Sequence, residues 1–162
     1  MTRATASPEH AEFLELVGTI SQAIAGQALD SALAATLNGR FPIDSGSGAR
    51  LAGLLALGAQ QGWLCQREGG GIRYGRVVKP GVAAGTFSVD VVLMDDIAGP
   101  YHIHPLGEIG FVVPISGAPR LDGYGAGWYV YGPGSAHSPT VRGGAAYVLY
   151  LLPDGRIDFT QQ

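Results

Sequence analysis

One cysteine in 162 residues, Cys65, excludes an intrachain disulfide and any metal site built from several thiolates, and it fits a reducing cytoplasm. Charge is scarce as well. Asp, Glu, Lys and Arg together make up 14% of the chain, the net charge is -3, and the ten basic residues stand singly. Nothing there can neutralise a row of phosphates, so nucleic acid is not expected as a partner. No apolar run approaches the roughly 20 residues needed to cross a bilayer, and even the stretch from Ala145 to Pro153 is less than half that. The opening MTRATASPEH lacks the apolar segment of a signal peptide, so a cytoplasmic protein is expected, with no membrane partner. What is present is core-forming material: 46% apolar residues, with 26 glycines and ten prolines to make turns. At this length a single compact unit is expected.

Ser7 can cap a helix, Pro8 suits its first position, and Glu9, Glu12 and Glu15 complement the positive end of its dipole. Phe13, Leu16, Val17, Ile20 and Ile24 then recur at spacings of three and four, an apolar stripe ending near Gly26. A second short helix is predicted from Asp30 through Leu33 and Leu37 to a stop at Asn38-Gly39. A third is predicted over Ala49 to Gln61, with Leu51, Leu54, Leu55 and Leu57 inward and Gly62 ending it. Trp63 to Gln66 and Ile72 to Val78 read as two strands joined by the turn REGGG. Helix followed by hairpin could also be a winged helix, but the basic recognition face is missing. From Thr86 onward come FSVDVVLM, EIGFVVP, GWYVYGP and AAYVLYLLP, separated by Gly, Pro and Asp. Strand after strand without helical periodicity predicts an antiparallel sandwich or barrel. The expected layout is a helical region over residues 1–65 packing on a β-barrel over residues 66–162.

Three of the four histidines, His102, His104 and His137, fall in the β half; the fourth, His10, lies in the first helix. Residues two apart in a strand project to one face, so His102 and His104 aim the same way and Ile103 the other. Pro105-Leu106-Gly107 permits a turn that brings Glu108 to the same point. His137 follows the glycine-rich turn Gly132 to Gly134 and reaches that point if its strand pairs opposite. Three imidazoles and a carboxylate suit one divalent ion, Fe, Mn, Ni, Zn or Cu, and spacing does not choose among them.

The pattern His-x-His-x-x-x-Glu followed by Gly-x-Gly-x-x-His resembles the two motifs of the cupin superfamily, which implies a mainly β, cupin-type antiparallel β-barrel (jelly-roll) behind the small N-terminal α-helical region. The departures lie around the ligands: Asp96 and Ile115 stand where that family has glycines, and Gly132 where it has proline. Along LNGRFP, GWLCQREGGGIRYGRVVKP, FSVDVVLMDDIAGP, HPLGEI, GAGWYVYGPGSAH and VLYLLPDG the chain is similar to the 4-hydroxylaminobenzoate lyase family. That resemblance implies a metal-dependent carbon–nitrogen lyase of nitroaromatic degradation, with His102, His104, Glu108 and His137 as metal ligands and catalytic centre. The product would be 3,4-dihydroxybenzoate with ammonia, or an aminophenol if the ring rearomatises first. An aryl hydroxylamine plus water balances to a catechol plus ammonia, so no nicotinamide or flavin is needed; Gly69-Gly70-Gly71 opens no helix and reads as a turn. A benzoate substrate calls for a cation, for which Arg76 is the candidate, on the strand face of Ile72, Tyr74 and Val78 and opposite Arg73. Tyr129 and Tyr131 share one face of their strand and are candidates for contact with the aromatic ring, with Trp128 and Val130 on the other face. The rival expectations are an Fe(II) dioxygenase using the same ligands and a non-catalytic sensor of small aromatics. The cupin resemblance also implies a homodimer.

Overall fold

The computed structural model describes residues 7–159. Helix α1 (Pro8–Ile24) begins as expected, with Ser7 Oγ accepting from the His10 N–H at 3.1 Å, and it buries Phe13, Val17, Ile20 and Ile24. Helix α2 (Ser31–Arg40) is capped by Asp30, which accepts from the Leu33 N–H. It runs through the expected stop at Asn38-Gly39. The reason is tertiary: Asn38 accepts from the Trp128 N–H at 2.9 Å and donates to the Trp128 carbonyl at 3.2 Å, which holds that last turn in place. Helix α3 (Gly46–Gln61) starts ahead of Ala49 and stops at Gly62, whose φ of 88° ends it. Among the described residues no helix is long and apolar enough to cross a membrane.

Trp63 to Gln66 is not a strand. The N–H groups of Trp63 and Leu64 both donate to the Gly58 carbonyl, so these residues close α3 instead of pairing, and Leu64 and Cys65 turn into the helical core. Pairing begins at β1 (Arg67–Gly69) and β2 (Ile72–Val78), followed by β3 (Phe87–Ala98), β4 (His102–His104), β5 (Glu108–Leu121), β6 (Gly127–Tyr131), β7 (Ser135–His137) and β8 (Thr140–Pro153). Six strands form one antiparallel sheet in the order β1-β2-β3-β8-β5-β6, and β4 with β7 forms a second.

Strand alternation gives the large sheet two apolar faces. Val89, Val91, Phe111, Trp128, Leu149 and Leu151 pack against the helices in one core. Met94, Val112, Tyr129, Ala146 and Val148 face the other way, in a second cluster. The long strands bend at irregularities after Asp95 in β3 and after Pro114 and Gly117 in β5, carrying Leu121 and Val141 over that second face. Asp96, at the position the cupin motif gives to glycine, takes a left-handed φ of 48° at the β3 bend, one of the few side chains that tolerates it. A bulge between Arg76 and Val78 likewise turns Val78 into the helix-side core, away from the face expected for it. The architecture is the cupin-type jelly-roll. Its hydrogen bonding does not close into a barrel: β1 and β6 are the edges of the large sheet, and the two-stranded sheet is separate from it.

Candidate metal centre

The β4–β7 pair places His102 directly opposite His137, with His104 two residues along on the same face. Glu108 opens β5 immediately after the turn that leaves β4. All four residues therefore meet at one point, with their potential ligand atoms within 4.8 Å of one another. The Nε2 atoms of the three histidines are mutually 3.0 to 3.1 Å apart, and Glu108 Oε1 lies 2.5 Å from His104 Nε2 and 3.7 Å from His137 Nε2. His102, His104 and Glu108 are buried, and His137 is nearly so.

The outer nitrogens decide what the inner ones offer. His102 Nδ1 lies 3.0 Å from the Pro100 carbonyl and His137 Nδ1 lies 2.6 Å from Asp122 Oδ2, and because both partners only accept, the proton sits on each Nδ1. Both Nε2 atoms then point inward. Burial and the neighbouring His104 and His137 push the His102 pKa down to about 4, so it is neutral. Burial alone would raise the Glu108 carboxyl, but its contacts with His104, His137 and Tyr129 outweigh burial and hold it down at about 2. Burial lowers His137, while Asp122 and Glu108 more than reverse this and lift it to about 9.

Three imidazole nitrogens and a carboxylate oxygen crowded this closely need a positive charge among them, either the proton that His137 carries or a shared metal cation in its place. Imidazole nitrogens sit about 2.0–2.1 Å from a zinc-like ion, so nitrogens on one ion stand about 3 Å apart, as these do. The residues fit a divalent metal.

Beside the cluster opens a cavity of about 450 Å³, into which His102, Glu108 and His137 project. Its wall is chiefly Val92, Met94, Leu121, Val148, Ile157 and Phe159, with Tyr74, Tyr129 and Tyr150 supplying hydroxyls. A volume of that order suits one small aromatic molecule. Tyr129 lines the cavity and hydrogen-bonds Glu108 Oε2. Tyr131 is on the same face, as expected, but donates to Asp122 Oδ2 at 2.7 Å and does not line the cavity. Trp128 and Val130 take the helix side. Arg76 gives Nε and Nη2 to Asp90 at 3.1 and 3.2 Å and is not part of the cavity wall. Asp90 stands opposite it in register, is buried, and needs that cation itself. His10 stacks on Trp63, in the helical region. Three residues had no mark in the sequence: Asp122, inside an Asp-Gly turn pattern; Gly110, one glycine among many; and Phe159, which reaches the cavity only because the Ile103–Asp158 bridge ties the chain end across β4.

A family model described as PnbB, 4-hydroxylaminobenzoate lyase, matches residues 15–159. The chain is 40% identical over 119 residues to a 4-hydroxylaminobenzoate lyase of Nocardioides sp. (strain LMS-CY), covering 68% of this chain and 70% of that protein. It is 33% identical over 143 residues to a 4-hydroxylaminobenzoate lyase of Pseudomonas putida, covering 78% of this chain and 81% of that protein. Among solved structures, an RmlC-like cupin protein from Ralstonia eutropha aligns with a TM-score of 0.45 and 14% identity, over 57% of this chain and 62% of that one.

Proposed function

The chain belongs to the 4-hydroxylaminobenzoate lyase family, and from that premise we propose that it is a metal-dependent lyase that converts an aryl hydroxylamine, such as 4-hydroxylaminobenzoate, to the catechol, here 3,4-dihydroxybenzoate, with release of ammonia. Nitroaromatic degradation is the setting in which that substrate arises. The observation that carries the reading is the convergence of His102, His104, Glu108 and His137 beside an apolar cavity sized for one aromatic ring, with three of the four on its wall.

The reaction balances internally. The N–O bond takes up the two electrons that the ring loses, one water is consumed overall, and no outside oxidant or reductant enters. A divalent ion held by the four residues supplies Lewis acidity for N–O cleavage. The chain does the rest by placement. Pro100 and Asp122 keep His102 and His137 in the tautomer whose Nε2 faces inward. The apolar wall holds the ring with its nitrogen toward the cluster and limits water to the polar end of the cavity, which the Tyr150 hydroxyl also lines. Water added beside the nitrogen leaves an imine; its hydrolysis releases ammonia, whereas earlier rearomatisation gives the aminophenol.

Anaerobic incubation of the metal-loaded protein with 4-hydroxylaminobenzoate tests this, following ammonia and catechol. The expected result is ammonia and 3,4-dihydroxybenzoate in equal amounts without oxygen, with activity lost in His104→Ala, which removes a buried ligand. Turnover that starts only when oxygen is admitted would replace the lyase with a dioxygenase.

A further inference from the structure

We propose that Tyr129 is the positioning residue of Glu108, and that Gly110 provides the space in which it does so; the inference rests on the metal-centre reading above. The two oxygens of Glu108 are used differently. Oε1 faces His104 and His137, while Oε2 accepts from the Tyr129 hydroxyl. Among the described residues that hydroxyl is the hydrogen-bond donor to Oε2. Glu108 is 3% exposed, so without it a charged oxygen would be buried unpaired, and the carboxylate would be free to turn away from the imidazoles.

The reach of Tyr129 depends on a missing side chain. Tyr129 on β6 pairs with Gly110 on β5, whose partner on the other side is Tyr150. A Cβ added at Gly110 would run into the Cζ, Cε2 and hydroxyl of Tyr129, so the ring occupies the place that any other residue at 110 would fill. Gly110 is not among the glycines with positive φ, so the backbone does not demand glycine there; the tyrosine ring does. Tyr124 stacks on that ring with centroids 5.3 Å apart, and Tyr131 meets it edge-on at the same distance, which leaves the hydroxyl one direction to point. Burial and the Glu108 charge push the Tyr129 pKa well above that of a free phenol, so the hydroxyl stays protonated and remains a donor.

Cobalt(II) is the probe, added to the full-length protein and measured by chelator competition and by its visible absorption. Tyr129→Phe keeps the ring and removes the bond; it is expected to weaken cobalt binding about 10- to 100-fold and to change the absorption envelope. Tyr147→Phe, which removes a hydroxyl from the helix-side core, is expected to leave both unchanged. Gly110→Ala, which displaces the ring, is expected to reproduce the loss seen in Tyr129→Phe. Cobalt affinity within twofold of the parent in Tyr129→Phe, with the same spectrum, overturns the role of Tyr129. A parent protein that binds no cobalt overturns the metal-centre reading and this inference with it.

Discussion

Asp122 fixes the orientation of His137. Its Oδ2 accepts from His137 Nδ1–H at 2.6 Å and from the Tyr131 hydroxyl at 2.7 Å, while Oδ1 accepts from the Thr140 N–H at 2.9 Å. Both oxygens are thus fixed, and with them the plane of the imidazole. Asp122→Ala should therefore weaken binding of a divalent ion about 10- to 100-fold while leaving the fold intact, as read by titration calorimetry alongside circular dichroism. Affinity equal to that of the parent would mean that β7 alone orients His137. The convergence of the cluster was legible from spacing, because strand periodicity puts His102 and His104 on one face. Asp122 was not, because its role is created by a left-handed turn, φ 50°, that brings it beside a strand 15 residues on.

Between elements, the contact of α2 with β6 shows how a helix can protect a sheet edge. β6 is an edge strand, and the outward N–H and carbonyl of Trp128 would otherwise be open to pairing with another chain. Asn38 satisfies both, and the Trp128 indole donates to the Phe41 carbonyl at 2.9 Å just beyond the helix. Asn38→Ala should cost about 1–3 kcal/mol, the penalty for leaving part-buried backbone groups unpaired, seen as a lower urea midpoint with an unchanged slope. A midpoint unmoved by the substitution would show that water replaces the amide at no cost. This same contact is why α2 outruns its sequence signal: Asn-Gly is a stop by local propensity, and two long-range hydrogen bonds override it. The stripes of α1 and α3 and the alternation of β3, β5, β6 and β8 were legible because each buries one continuous face. Trp63 to Cys65 was not, since an apolar run says only that residues are buried, and here the burial is against helices.

At the scale of the whole molecule, one sheet divides the protein's tasks. Its helix-side face is filled with apolar side chains, and its other face is left partly open as the cavity. Substrate choice follows from what lines that cavity. Among the described residues the wall holds no arginine or lysine, its ionisable groups are His102, Glu108, His137 and three tyrosines, and Arg76, the cation the sequence offered for a ring carboxylate, is committed to Asp90 and the Gly155 carbonyl. On the proposed function a ring carboxylate would therefore gain no buried ion pair here, and recognition would rest on the aromatic face and the hydroxylamine. Phenylhydroxylamine, which lacks the carboxylate, is expected to be converted anaerobically to catechol and ammonia with kcat/KM within about tenfold of 4-hydroxylaminobenzoate. A buried cation paired with the carboxylate would instead separate the two substrates by about 2–5 kcal/mol, roughly 30-fold or more. Measured side by side, a preference of several hundredfold for the benzoate would place a cation against the ring carboxylate, and Arg76 would have to leave Asp90 to supply it.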